Sequence, residues 1–323
     1  MEVGGLFLTM EDDSETSVPL SVSTAAGSPV LMATADERMD WAGGVEARLG
    51  SSFGPGNFWE LVYWGIYPNT VSTEVYDPSP PGGSGVDLDP AFDFTGLDLE
   101  EGTGGVDLDQ FFNGADSHRM IRRFDFANIE LNAVATHDGD PTCGEIAWIY
   151  GIRYFNFQAD IHFATSTGIG SVGAFDAAYD VNLENHLVGV QLGALYQRPI
   201  RPGFGMTATF KGGIYNNHLE HHSRLGSSAE PAVIDGGPDD GEPFEINNWR
   251  DHVAFLGEAD IGFERCWQGW NITATYRALV ATNVGIVTDQ IASDFTRIAP
   301  NQQISARDQI FLHGGYVGAA YMW

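Results

Sequence analysis

Apolar and polar residues alternate along this chain in short stretches, each about ten residues long and each bounded by Gly, Pro, Asn or Asp. A period of two sends successive side chains to opposite faces, so each stretch reads as a β-strand with one apolar face and one mixed face. Ten such stretches fall at 2–10, 40–50, 57–67, 119–135, 145–157, 177–196, 204–220, 251–265, 270–283 and 309–323. In the second, Trp41, Val45, Ala47 and Leu49 alternate with Asp40, Glu46 and Arg48. In the ninth, Ile272, Ala274, Tyr276 and Ala278 alternate with Asn271, Thr273, Thr275 and Arg277, and the last puts Val317, Ala319, Tyr321 and Trp323 on one face. No apolar run reaches the ~18 residues that a membrane-spanning helix needs.

The connections add independent information. Tight links at Ser51–Gly56, Arg198–Gly203 and Cys266–Gly269, with a modest one around His137–Gly144, follow the even-numbered strands, and long links follow strands one, three, seven and nine. Short periplasmic turns alternating with long extracellular loops give this order in a barrel whose termini face the periplasm. The prediction is an all-β fold: a transmembrane, antiparallel, up-and-down β-barrel of about 10 strands (range 10–12). It forms a single domain over residues 1–323, with an acidic extracellular insertion at about 68–118. A soluble sandwich or propeller shares the alternation but not the loop order. Nor does it explain the aromatics near strand ends at Trp59, Tyr63, Trp64, Trp148 and Trp270, which suit a membrane interface.

A formal net charge of −29 argues against nucleic acid as a partner, because phosphate binding needs clustered Lys and Arg. Two cysteines, Cys143 and Cys266, cannot form a disulfide framework, and strand order separates them, so two free thiols are expected. The chain opens at Met1 directly in strand-like sequence, with no signal peptide ahead of it. The expected location is the outer membrane, in a processed form. Outer-membrane lipids and the barrel-assembly machinery, reading the last strand with its terminal Trp323, are the expected partners, and a homo-oligomer or surface assembly is a further one.

Parity assigns Glu46, Glu60, Glu130, Glu258 and Asp260 to the lumen together with Arg48, Arg122, Arg153, Lys211 and Arg277. Five acids against five bases imply an ion-paired plug, since charges out of water must be paired and a ten-stranded interior is narrow. A cation-permeable path is the alternative. The segment Glu74–Asp116 carries eleven acidic residues and no Lys or Arg, and "GVDLDPAF" at 85–92 returns as "GVDLDQFF" at 105–112. Asp87, Asp89, Asp107 and Asp109 are candidate Ca²⁺ ligands, weighed against a solvated acidic loop. Val86, Leu88 and Phe92, with Val106, Leu108 and Phe112, supply apolar residues to pack that loop at the barrel mouth. In "NNHLEHH", His218, Glu220 and His222 share one strand face and are candidate transition-metal ligands; His118, His186 and His313 read as isolated, structural residues. No cofactor is required. No enzyme is expected: G-x-S-x-G is absent, and an omptin-like protease is a remote alternative, because the DLD elements lie in a loop.

The blocks "GGVEARLG", "ELVYWGIYP", "GIRYFNF", "YDVNLENHLVGVQLGALYQRP", "GGIYNNHLEHHSRL", "VAFLGEADIGFE", "TYRALVATNVGIVTDQI" and "LHGGYVGAAYMW" resemble, in order, the β-barrel porin family expanded in planctomycetes. The resemblance is weakest at 11–39 and 74–116. It implies an outer-membrane location and carries over no catalytic residue. The function expected is therefore a porin-like barrel, narrow or plugged by side chains, with a structural or surface role.

Overall fold

A computed structural model describes residues 1–12, 17–77, 86–99, 106–137, 144–166 and 177–321. Ten long strands carry the fold: β1 (Glu2–Asp12), β2 (Ala42–Gly54), β3 (Asn57–Tyr76), β4 (Ser117–His137), β5 (Glu145–Ser166), β6 (Ala177–Arg201), β7 (Phe204–Ser227), β8 (Glu245–Trp267), β9 (Trp270–Val284) and β10 (Asp308–Tyr321). Each pairs antiparallel with its neighbours in sequence, and β1 closes the ring against β10, from Glu2 opposite Ala320 upward. Closure removes every sheet edge, which is what lets strands cross a bilayer. Three hairpins turn on two residues, Pro55-Gly56, Pro202-Gly203 and Gln268-Gly269. Gln268 (φ 51°) and Gly269 (φ 84°) both adopt left-handed backbone, the type I′ geometry whose twist matches a tight hairpin.

All ten predicted strands are present, but most are longer than the pattern suggested. β5, β6 and β8 contain 22, 25 and 23 residues, against the ~9–11 needed to span a membrane. Along β5 the outward positions run Ile146, Trp148, Tyr150, Ile152 and then Tyr154, Asn156, Gln158, Asp160, His162. Its inward positions run Ala147, Ile149, Gly151, Arg153 and then Phe155, Phe157, Ala159, Ile161, Phe163. The outer face therefore changes from apolar to polar near Arg153 while the parity stays constant. Near the turns the inner face is mixed, with charged and hydroxyl side chains of other strands beside a buried apolar cluster of Val134, Ala147 and Ile149; beyond that level the wall is polar outside and apolar inside. The outer belt of the first zone exposes Val188, Val190 and Leu192 on β6, Ile261 and Phe263 on β8 and Val317 on β10. Trp59, Trp148, Trp267, Trp270 and Tyr321 lie exposed toward the turn end. Trp64 is not part of this girdle; it faces inward and is completely buried.

In the second zone the loops fold into the barrel mouth. The insertion is 77–116, shorter than the predicted 68–118, because β3 continues to Tyr76 and β4 begins at Ser117. A strand at Pro19–Ser23 pairs with Val30–Ala33 and Leu88–Pro90, and Leu97–Leu99 pairs with Val106–Asp107 and Val233–Ile234. Three loops, those after β1, β3 and β7, are thereby joined to one another. Leu88, Phe94, Leu97, Leu108 and Phe112 are fully buried, and Phe92 packs edge-on against Phe163 of β5, Tyr179 of β6 and Phe295 of the 285–307 loop. Of the apolar residues of the DLD repeats, Phe92, Val106, Leu108 and Phe112 join a hydrophobic plug continuous with the inner wall, while Val86 and Leu88 stand outside that cluster. No helix among the described residues is long and apolar enough to cross a membrane, a fact that does not bear on strands.

This topology makes a labelling prediction. Cys266 is a free, exposed thiol at the turn end, whereas Ser228 lies exposed in a loop at the opposite end. Cys143 lies outside the described residues. The links flanking β6–β7 are closer than opposite sides of the ring: Gly144 and Cys266 line one groove, because only three strand spacings separate β5 from β8. On intact cells producing Cys143→Ser, an impermeant maleimide should leave Cys266 unmodified and should react with an added Ser228→Cys. The reverse pattern would invert the orientation.

Candidate functional site: a paired-charge layer in the lumen

At the level where the outer face changes polarity, the first-zone lumen is filled by side chains from β2, β4, β5, β6, β7, β8 and β9. Arg277 of β9 lies at one centre: its Nη1 donates to Glu46 Oε2 (2.6 Å) and its Nε to Asp260 Oδ1 (2.7 Å). Arg48 Nε donates to the other oxygen of Glu46 at 2.6 Å. Glu130 is the second centre, accepting from Lys211 Nζ at 2.9 and 3.0 Å, Gln191 Nε2 at 2.7 Å, and Asn128 and Asn132 at 3.1 and 3.0 Å. Glu258 links the two, with Arg153 Nη2 and Lys211 Nζ each 2.7 Å away and Arg277 Nε at 3.9 Å. At 2.7 Å the contacts of Arg153 and Lys211 hold Glu258 between the two centres. Strand register explains the assembly: Asp260 lies directly opposite Arg277, Lys211 opposite Glu258 and Arg153 opposite Glu130.

Among the described residues the layer joins Glu46, Glu130, Glu258 and Asp260 to Arg48, Arg153, Lys211 and Arg277, a balance of four against four. Glu46, Glu130, Arg153 and Arg277 are at most 2% exposed. The Arg277 guanidinium also lies over the rings of Trp64 (5.7 Å) and Tyr316 (5.9 Å), so aromatic faces border the layer. On the turn side is a vestibule of about 440 Å³, lined by Arg48, Glu60, Thr207, Thr209, Asp260, Thr273 and Thr275 among others.

Two predicted lumen residues stand apart from the layer. Glu60 is at the vestibule rim, accepting from Asn132 at 3.2 Å. Arg122 faces inward as parity required, but it is in the second zone, where its Nη1 donates to the carbonyls of Thr34 (2.9 Å) and Glu37 (2.7 Å) and ties the first loop to the wall. Parity reports the face and not the height, which is why both joined the predicted set.

The proposed calcium ligands do not converge. Asp89 accepts from Gly114 N, Asp107 from Asp109 N and Asp109 from the Thr95 hydroxyl, and the two repeats enter different sheets, which separates their carboxylates. The single-strand metal triad also fails: His218 and His222 are four residues apart, ~13 Å along a strand, too far to share one ion. His222 Nδ1 instead contacts Asn247 Oδ1 at 2.6 Å, and His218 Nδ1 contacts Asp251. Among the described residues no three His, Cys, Asp or Glu side chains close on one point with metal-ligand spacing. Trp323 lies outside the described residues, so its recognition role has no structural counterpart here.

The plug contains two buried histidines. His118 touches the Ser21 hydroxyl (2.8 Å) and the Phe112 carbonyl (3.0 Å), pinning two loops to β4, and burial holds its pKa down to about 4. Among the described residues His221 has no hydrogen-bond partner for either ring nitrogen, and burial lowers it likewise to about 4. Asp308, near Asp289, is pushed up to about 7 by burial and that carboxylate, and it opposes the histidines in the same window. A His lowered in the folded state makes the unfolded chain bind more protons, so its contribution is lost as pH falls from 6.5 toward 4. In an Asp308→Asn background, where the opposing slope is gone, the thermal midpoint in detergent should fall over that range. His221→Leu should flatten the fall; an unchanged slope would show that His221 is not neutral in the plug.

No family model matches the chain. No curated protein matches it. Among solved structures it is similar to the translocator domain of autotransporter NalP from Neisseria meningitidis, at 12% identity and a TM-score of 0.29, over 100% of this chain and 89% of that one. So slight a likeness carries no argument about function, and what stands is the fold itself, a closed antiparallel ten-stranded β-barrel.

Proposed function

We propose that this chain is an integral outer-membrane β-barrel, porin-like in architecture but closed to solutes, with a structural or surface role and no catalytic one. The apolar outer belt, the aromatics at its turn-end margin and the closed ring support the membrane location. The observation that carries the closed reading is the double filling of the lumen. A neutral layer of four acids and four bases blocks the membrane zone, and a hydrophobic plug fills the zone beyond it. An ion crossing the layer would have to displace charges already matched to one another, and crossing the plug would require an unhydrated path. The wall beyond the belt then lifts its loops above the membrane surface.

Planar-bilayer recording on the purified protein tests this reading. Rare, small openings are expected at neutral pH. A large, steady, voltage-independent conductance would establish an open pore instead.

A further inference from the structure

Just beyond the apolar belt, the outer wall holds two histidines and two glutamates at the corners of one block. Register puts Glu184 of β6 directly opposite Glu220 of β7, and His186 directly opposite His218. Directly opposed residues have Cβ atoms about 4.5–5.5 Å apart, so the two carboxylates form a like-charge pair that weakens the sheet unless a cation lies between them. No Lys or Arg occupies the neighbouring outward positions in the same rows, which are Gln158 and Trp249 beside the glutamates and Asn156 and Asp251 beside the histidines.

The rings are oriented in a way that ordinary exposed histidines need not be. His186 Nδ1 is 2.9 Å from the Tyr154 hydroxyl and 3.1 Å from the Asn156 side-chain amide, and His218 Nδ1 is 3.0 Å from Asp251 Oδ1. Asp251 also accepts from Asn216, which fixes its position. With each Nδ1 engaged, each Nε2 turns toward the glutamates, at 3.3 Å from Glu184 Oε2 for His186 and 3.5 Å from Glu220 Oε1 for His218. Metal binding at Nε2 needs the proton on Nδ1: Asp251 accepts it from His218, the outer-shell arrangement of metal-binding histidines, and the Tyr154 hydroxyl accepts it from His186 once the Asn156 NH2 group, which faces that nitrogen at 3.1 Å, turns away.

We infer that His186, Glu184, His218 and Glu220 bind a zinc-class divalent cation on the outer wall, with Asp251 and Tyr154 orienting the two imidazoles. Two imidazoles and two carboxylates suit Zn²⁺ or a similar borderline ion, and four ligands complete a tetrahedral shell. The side chains are drawn up in facing pairs and not yet closed on one point. All four are partly exposed, from 26% for His186 to 57% for Glu220, so they can rotate into closure without repacking the core. The cation would stitch β6 to β7 where they leave the membrane and would neutralise the opposed glutamates.

The test titrates purified, folded barrel in detergent with Zn²⁺ against a chromophoric chelator, and with Co²⁺ to read the ligand field. One equivalent should bind, with a tetrahedral Co²⁺ spectrum and a raised unfolding midpoint. His186→Gln and His218→Gln should each abolish this binding. Asp251→Asn and Tyr154→Phe, which leave all four ligands in place, should weaken it about 10–100-fold. His162→Gln, on the same wall but outside the block, should bind as the parent does. Metal-free Glu220→Gln should gain part of the stability that Zn²⁺ confers on the parent. Absence of binding by the parent, or an equivalent of Zn²⁺ retained by the His186→Gln/His218→Gln double variant, would overturn the assignment. Neither result would touch the closed-lumen reading, which bilayer recording tests separately.

Discussion

Arg277→Ala should destabilise the barrel by about 3–5 kcal/mol, the cost expected when one partner of a dry ion pair is removed. The guanidinium is 1% exposed and is bonded to two carboxylates at once, Glu46 and Asp260, so the substitution leaves Asp260 without its 2.7 Å partner. Glu46 keeps Arg48, and for that reason the loss falls mainly on Asp260. Adding Asp260→Asn to Arg277→Ala should recover a large part of the loss, because it removes the uncompensated charge. Denaturant unfolding in detergent, run as a double-mutant cycle, reads both effects. A cost below ~1 kcal/mol would mean that water reaches the layer and screens it as it screens surface pairs.

Phe94→Ala should cost a similar ~3–5 kcal/mol, but in the plug. Phe94 is fully buried and packs against Phe112 at 4.6 Å and Phe295 at 5.0 Å between ring centroids, joining the 77–116 insertion to the 285–307 loop. Its removal should loosen both loops together, seen as faster proteolysis within 77–116 and within 285–307 while the barrel remains protease-resistant. The two variants also separate the two closures. If charge layer and plug act in series, each single variant should conduct little more than the parent, and the combined Arg277→Ala/Phe94→Ala variant should show frequent cation-selective openings. Full conductance in either single variant would reduce the series to one barrier.

Two features shape the molecule beyond these tests. The charge layer is balanced, four against four, so it contributes nothing to the net charge of −29; part of the acidic excess lines the turn-side vestibule at Glu2, Glu60 and Glu264, and part lies on the outer wall beyond the belt, as at Asp160, Asp180, Glu184 and Glu220. In the proposed outer-membrane setting, such an acidic exterior would need divalent cations to lie beside an anionic surface. Glycine serves a distinct purpose in the wall. A Cβ on Gly262 would come 2.0 Å from the carbonyl of Ala274, and one on Gly189 would come 2.1 Å from that of Ile214. At these positions neighbouring strands approach too closely for any side chain.

The linear pattern by itself determined the ten strands, their antiparallel order, the short turns at one end and the inward face of the ten charged residues assigned to the lumen. Alternation with period two is a local property, readable wherever one face meets lipid and the other a lumen. It also placed Arg277 and Asp260 inward, but their pairing follows from register, which depends on where each hairpin turns. Only the tertiary structure decided the height of each residue along the barrel. It separated Arg122 and Glu60 from the charge layer, drew Trp64 inside, and revealed the second zone, where the outer face turns polar and the inner face apolar. Along one strand that change resembles a loss of pattern, and so the strands read as ending near the belt. His186 was legible as a histidine and as an outward residue. Its place opposite His218 was not, because thirty-one intervening residues and one hairpin set that register, and no local sequence signal records a contact between strands.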